Sequence, residues 1–463
     1  MVVSRRARKA GFAFISCVFL IIAADKANCE PILCSPSLTQ TLISPAPQPG
    51  ELFGTRIAAS GTAMLVGACG YTTLSTSVPG SAYLFVADDG SWRHAATLLP
   101  ELPTDRLNFG IAVALEGELA VVGNSDSVFV FERISGEWSQ SAKLVSADHV
   151  PGDGFGSGLA IGDGFIAVVA SNATQGGSGQ WGAVYIFEES AGAWCQTAKL
   201  TSPSTFSNNF GACVDTDDGK VFVSTPVDAN GLGMVYIFER GAGAWSLVGQ
   251  LEPPSRIHVG EPMPYRFGTS VSIDGDSGLV GSVSATAGVY SFRRSGSSWT
   301  REGFLGQPPG MDHLNFGIQV ALAGNVGVVG QHYLIAPSPP IVKLSRAHLY
   351  VREGGEWLFQ GLLVDSHEYD DLVAVVSGHT VFVGLPYAEG WAGVIQVFAT
   401  NCPVTSDWDG DGDVDGTDYG ALERCLKGPG MRAGISCENL DLNEDGAVDL
   451  ADFAVFMLHL TSP

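Results

Sequence analysis

The chain has 463 residues, of which only 16% are charged and 59 are Gly, and its formal net charge is −24 at pH 7. An acidic balance of that size argues against nucleic acid or an anionic membrane surface as partner, because both repel a polyanion. The nine cysteines fit an oxidising compartment.

The N-terminus supplies the compartment. Arg5, Arg6, Arg8 and Lys9 precede an apolar run from Gly11 to Ala24, and small residues follow up to Cys29. A basic start, a short apolar stretch and a small-residue exit are expected of a secretory signal peptide spanning residues 1–29, cleaved between Ala24 and Glu30. The run is too short to span a bilayer, and no other segment is long and apolar enough to do so. Cys17 would leave with the signal.

Residues 30–402 are a repeat. Its anchor is Phe-Gly, at Phe53-Gly54, Phe109-Gly110, Phe155-Gly156, Phe210-Gly211, Phe267-Gly268 and Phe316-Gly317, spaced 46 to 57 residues apart. About thirteen residues after each anchor comes an apolar strand ending in a small residue, such as Leu65-Val66-Gly67 or Val121-Val122-Gly123. A third strand follows, as in Ala82-Tyr83-Leu84-Phe85 and Val184-Tyr185-Ile186-Phe187, with His348-Leu349-Tyr350-Val351 in the sixth copy. A Gly-containing turn then leads to a strand opened by Trp92, Trp138, Trp194, Trp245, Trp299 or Trp357. The seventh copy has Asp370-Asp371-Leu372 in place of Phe-Gly, continues through Phe382-Val383-Gly384 and Val394 to Phe398, and lacks a fourth strand. Leu38 to Ser44 resembles a fourth strand, so the N-terminal segment is expected to complete the last unit and close a ring. Four-stranded units closed in this way make an all-β, seven-bladed β-propeller, which removes the edge-strand problem by radial repetition. Cys34 and Cys402 flank the two strands that meet at the closure, and a disulfide is expected between them.

The Phe-Gly pattern resembles the FG-GAP repeats of integrin α-subunit propellers and their bacterial relatives. Integrin-type blades often carry an acidic calcium loop between their first two strands. Here those turns are short, as in Glu116-Gly117-Glu118 and Asp274-Gly275-Asp276, so no calcium is expected in the blades. The long segments, including Ala68 to Ser81, Ser171 to Gly182 and Gln331 to Arg346, fall on the opposite face together with the inter-blade linkers. Long loops on one rigid face are where binding is expected, and Tyr71, Trp181, Tyr265, Tyr333 and Trp391 belong to them. The strand-opening Trp residues read as core. His149, His313 and His367, with Arg106 in the equivalent place, recur just before the anchors and read as inter-blade structural groups. No HExxH, GxSxG or phosphate-binding glycine loop is present, and paired carboxylates contributed by distant blades would leave no sequence signature.

Two acidic twelve-residue stretches end the chain, Asp407 to Asp418 and Asp441 to Asp452. Calcium takes six to eight oxygen ligands, and these stretches place oxygen donors at loop positions 1, 3, 5, 7, 9 and 12. The first set is Asp407, Asp409, Asp411, the Asp413 carbonyl, Asp415 and Asp418. The second is Asp441, Asn443, Asp445, the Ala447 carbonyl, Asp449 and Asp452. Gly412 and Gly446 at position 6 permit the sharp turn. A helix is expected after each loop, the second with an apolar face of Phe453, Phe456, Met457 and Leu460. Cys425 and Cys437 can clip the segment between the loops.

Position 12 is Asp, no helix precedes the first loop, and the unit repeats after 34 residues. In these respects residues 403–463 resemble a type I dockerin module. The resemblance implies two calcium ions and a cohesin-like or cell-surface partner, contacted through loop positions 10 and 11, here Gly416-Thr417 and Leu450-Ala451. Three readings of function follow. The first is a secreted, non-catalytic binding or adhesion propeller, taking a glycan or protein ligand on its long-loop face and attached to a complex or surface by its calcium module. The second is a carbohydrate-active enzyme, and the third a structural surface protein.

Overall fold

The computed structural model describes residues 35–71, 77–88, 90–174, 182–204, 209–227, 232–241, 243–253, 266–283, 288–308, 315–335, 342–353, 355–366 and 372–401. These form seven antiparallel four-stranded sheets. First strands of adjacent sheets contact one another around a central axis, so the sheets are the blades of a seven-bladed β-propeller. Blade 1, for example, is Phe53–Ser60, Ala63–Ala68, Ser81–Asp88 and Ser91–Leu98. Blade 7 takes its three inner strands from Val373–Ser377, Thr380–Leu385 and Val394–Asn401, and its outer strand is Ser35–Ile43. That outer strand pairs antiparallel with Val394–Asn401, from Ile43 opposite Val394 to Ser35 opposite Asn401. The N-terminal closure expected from the repeat pattern is present. Cys34 and Cys402 lie outside the described residues.

Each core lies between two blades rather than inside one. Phe109, for instance, packs with Leu65 and Leu84 of blade 1 and Val122 and Phe131 of blade 2. The six anchor Phe side chains are 0% exposed. Each meets two aromatic rings of its own third strand edge-on or tilted, as Phe53 does with Tyr83 at 5.8 Å and Phe85 at 5.9 Å. The Gly after each Phe has φ between +86° and +91°, which only Gly adopts without strain. The residue before it also has positive φ at Leu52, Asn108, Asn209, Arg266 and Asn315. Three of these five are Asn, a residue that tolerates this conformation better than most.

That backbone shape drives the dipeptide into the preceding blade. A Cβ on Gly67, Gly123, Gly281 or Gly384 would collide with the carbonyl oxygen of the next blade's anchor Gly. A Cβ on Gly80, Gly182, Gly233 or Gly393 would collide with the carbonyl of the next blade's anchor Phe. In blades 1 and 7 two bare backbones therefore grip Phe-Gly of the next blade, and in blades 2 to 5 one does. The grip of Gly384 and Gly393 on Phe53-Gly54 carries the same contact across the ring closure.

The strand-opening Trp residues also join blades. Trp92 meets Phe382 of blade 7 and Trp245 meets Phe165 of blade 3, both with centroids 4.9 Å apart. The sixth copy needs two corrections. His348, not Leu349, occupies the place of Tyr83, because His348 pairs with Val329 and stacks on Phe316 at 5.1 Å. The third-strand block is therefore Ala347 to Tyr350. The segment from Gln331 to Arg346 is not simply a loop: both strands run on past the end of the blade, pairing from Gln331 with Arg346 to Ile335 with Val342. At the junction with blade 7, buried Leu372 replaces the missing Phe.

Gly110→Ala adds a Cβ at φ +91° against Ser81 O and the Ala68 amide. It is expected to cost about 2 kcal/mol or more in urea unfolding. Gly117→Ala, at φ +53° with open space around its Cβ, is expected to cost about 1 kcal/mol. Equal losses would contradict the packing origin of the motif.

Candidate functional site

The predicted calcium ligands Asp407, Asp409, Asp411, Asp413, Asp415, Asp418, Asp441, Asn443, Asp445, Ala447, Asp449 and Asp452 lie outside the described residues, as do Cys425 and Cys437. Among the described residues no group of three His, Cys, Asp or Glu side chains is placed to hold a metal ion, and no helix is long and apolar enough to cross a membrane. The three described cysteines, Cys69, Cys195 and Cys213, are free thiols.

The first strands bring seven residues to each level of the axis. At the level of the small residue ending strand two, these are Arg56, Ala112, Gly158, Cys213, Ser270, Gln319 and Val373. Arg56 is the one charged group among them. It donates from Nη1 to Thr55 O at 2.7 Å, which turns the guanidinium back toward the long-loop end. Burial pushes the Cys213 thiol up to about 11, and Asp215 adds to this while Arg56 opposes it. The Arg56 charge is thus felt from blade 1 on blade 4.

Next to the short turns the level reads Ser60, Glu116, Gly162, Asp217, Asp274, Ala323 and Ser377. Here side chains close the inner sheet edges. Ser60 accepts from Gly117 N at 3.3 Å, Asp217 from Gly275 N at 3.2 Å and Asp274 from Gly324 N. One step up, Asp215 accepts from Ile273 N at 2.7 Å and Ser272 from Leu322 N at 3.1 Å. In each case a side chain of one blade satisfies an amide of the next. Burial raises the Asp215 carboxyl to about 7, against the backbone hydrogen bonds from Ile273 and Thr216 and with help from Asp217 and Asp274. Its two oxygens are engaged by those backbone donors, which makes it an inter-blade clasp rather than a free acid–base group.

On the long-loop face the linkers are pinned by charge. Asp105 pairs with Lys143 at 2.7 Å and Asp148 with Lys199 at 2.6 Å. Lys143 lies over the Phe129 ring and Lys199 over Tyr185, at 5.3 and 5.1 Å from the centroids. Asp148 also accepts from the Tyr185 hydroxyl at 2.8 Å. In blade 1 the buried Glu51 accepts from Ser44 at 2.8 Å and from the Tyr83 hydroxyl at 2.5 Å. Arg106 donates to Gly80 O and Ser81 Oγ of the preceding blade, and His149 pairs with Asp153 at 3.1 Å. Arg106 thus joins two blades as expected, whereas the partner of His149 lies within its own linker. His313 and His367 lie outside the described residues. An open depression of about 450 Å³ sits over Asp148, Asp153, Asn172, Tyr185 and Lys199. The Asp–Lys pair in it repeats a pair of blade 2.

Of the five loop aromatics, Trp181 and Tyr265 lie outside the described residues, and Tyr333 lies in the extended second strand of blade 6. Tyr71 and Trp391 meet across the seam between blades 1 and 7, with centroids 4.9 Å apart and ring planes at 89°. Both stay exposed, at 41% and 44%. Nothing in the sequence pairs these two positions, because the meeting depends on ring closure.

Residues 405–461 match the dockerin type I domain, and residues 138–187 match the FG-GAP repeat. The chain therefore carries a type I dockerin domain and an FG-GAP repeat. No curated protein matches it. Among solved structures, a chain of "Crystal Structure of Mitotic Checkpoint Complex" is 9% identical with a TM-score of 0.49, covering 86% of this chain and 96% of that one. A chain of "S. cerevisiae dbp5 l327v bound to nup159, gle1 h337r, ip6 and adp" is 10% identical with a TM-score of 0.41, covering 80% and 95%.

The raised Asp215 carboxyl ties blade cohesion to pH. A group whose folded pKa lies above its unfolded value stabilises fully below the unfolded value and loses that contribution as pH rises through the folded one. For Asp215 the window runs from the ordinary carboxyl value of 3.8 to about 7. Asp215→Asn cannot titrate, so its stability relative to wild type is expected to rise across that window and flatten above it. Urea midpoints at a series of pH values would check this, and parallel curves for the two proteins would contradict it.

Proposed function

We propose that this chain is an exported, non-catalytic binding propeller that a calcium-loaded dockerin couples to a cohesin-type receptor, in a complex or on a cell surface. The observation that carries the reading is that the dockerin match at 405–461 contains both acidic loops, Asp407 to Asp418 and Asp441 to Asp452. Dockerin domains bind cohesins, and type I dockerins bind calcium. The two ligand sets described above would each hold one ion, and metal binding by such a small unit is coupled to its folding. The signal-like residues 1–29 supply export, residues 30–402 the propeller and residues 403–463 the coupling module. In a ring built of short inner turns and long outer loops, ligand binding belongs on the long-loop face.

Oxidising surroundings add two disulfides to the proposal. The pairing of Ser35 with Asn401 supports Cys34–Cys402 as the covalent seal of the ring, because each cysteine is next in sequence to one member of that pair. Cys425–Cys437 would clip the dockerin. Peptide mapping of the unreduced secreted protein is expected to recover both crosslinks, and free thiols at Cys34 and Cys402 would remove the seal.

Isothermal titration of the full chain with calcium is expected to show two bound ions, and capture on an immobilised cohesin is expected to be lost on adding chelator. Asp407→Ala together with Asp441→Ala should abolish both signals while leaving the thermal transition of the propeller in place. Calcium uptake unchanged by the double substitution would refute the assignment. Hydrolysis of any polysaccharide by the purified chain would overturn the non-catalytic part and favour a carbohydrate-active enzyme.

A further inference from the structure

The seam at which the ring closes carries a surface feature that the fold does not require. Trp391 has φ +73°, a conformation that is strained for a bulky residue. The closure holds it there: Gly50 N and Leu52 N both donate to Trp391 O at 3.1 Å, and Phe53 N donates to Ala392 O at 2.9 Å. The indole is fixed on two sides, with Tyr71 at 4.9 Å and Tyr387 at 5.8 Å, both near perpendicular. Even so, 44% of Trp391 and 41% of Tyr71 remain exposed. The strand-opening Trp residues spend their rings on a neighbouring blade, as Trp92 and Trp245 do. The gripping contact of this seam is made by Gly393, and Val78 stands where Trp391 does relative to the corresponding Gly80 of blade 1. An indole is therefore not needed for packing.

We propose that Trp391 and Tyr71 form a carbohydrate subsite that seats one neutral pyranose ring. The inference deepens the binding reading given above and rests on it. A rigid corner of two electron-rich rings suits the C–H face of a sugar, which is apolar and carries partial positive charge. Its size suits one sugar and little more: two half-exposed rings present on the order of 200 Å², far below the ~800 Å² per partner of a stable protein interface. Charge selects among sugars. The exposed Glu389 stands two residues from Trp391, and the chain carries −24, so uronates and sulfated sugars are repelled while neutral hydroxyls find an acceptor. The charged depression on blade 3 offers no such stacking surface, because the Tyr185 ring beneath it is buried and covered by Lys199.

The test uses the full secreted chain with cellohexaose, xylohexaose and chitohexaose as probes, followed by titration calorimetry and indole fluorescence. At least one probe is expected to bind with a Kd below about 10 mM. Trp391→Ala and Tyr71→Ala should each weaken it about tenfold or more, and Trp391→Phe should lose less. A second readout needs no variant: bound sugar should slow oxidation of Trp391 by N-bromosuccinimide, followed by peptide mass spectrometry. Binding should persist in chelator, which separates it from the dockerin. Absence of binding by all three probes while calcium-dependent coupling is intact would overturn the subsite and leave the proposed function standing. Equal affinity of wild type and folded Trp391→Ala, or oxidation of Trp391 unaffected by a bound probe, would also overturn it.

Discussion

Phe-Gly of six blades is inserted against bare backbone of the blade before it, with both gripping glycines present in blades 1 and 7, and the ring depends on that contact. The Phe fills the inter-blade core, stacked on its own third strand. The Gly, near φ +90°, turns the chain so that its carbonyl lies on a glycine of the neighbour. A side chain at a gripping Gly would meet the neighbour's backbone and push the two sheets apart. Because the same insertion joins blade 7 to blade 1, closure is not a separate device. It is one more copy of a local contact, completed by a strand borrowed from the N-terminus.

The inner edges pose the second constraint. A first strand faces the axis with amides that no further strand can pair, and an unpaired edge is costly or adhesive. Ser60, Asp215, Asp217, Ser272 and Asp274 accept from the amides of the following blade, so short polar side chains close the edge where backbone cannot. Carboxylates thereby gather at the short-turn end of the axis, while Arg56 turns toward the other. The two ends differ in chemistry as well as in loop length: short polar side chains close the short-turn end, and the Phe-Gly grip lies at the long-loop end.

Much of this architecture is legible in the sequence, for a physical reason. Phe-Gly, the small residue after strand two and the Trp before strand four each serve a contact that most junctions repeat, so they recur along the chain. The matched FG-GAP repeat, residues 138–187, begins at the fourth strand of blade 2 and ends in the third strand of blade 3. That offset is the same phase that sends Ser35–Ile43 to complete blade 7. What is not legible serves only one junction. In the sixth copy His348 stands in register where the third strands of blades 1 to 5 carry Tyr or Phe; Gln331 is its buried hydrogen-bond partner at 3.2 Å, and burial lowers the imidazole to about 3, so the ring packs as a neutral group. The edge-closing acids look like ordinary turn residues. Tyr71 and Trp391 sit at opposite ends of the propeller sequence and become neighbours only through closure. The calcium ligands are the reverse case, a pattern complete within twelve residues and readable without any tertiary context.

The paired outer strands of blade 7 also set how the ring carries a load. Asn401 ends its strand at the short-turn face, opposite Ser35. Both ends of this strand pair that lie nearest the chain's outer segments, Ser35 and Asn401, therefore stand on the side away from the long loops. Force applied at Asn401 along the axis of Val394–Asn401 would load its two neighbouring strands in shear, where the hydrogen bonds of the pairing break together rather than one after another.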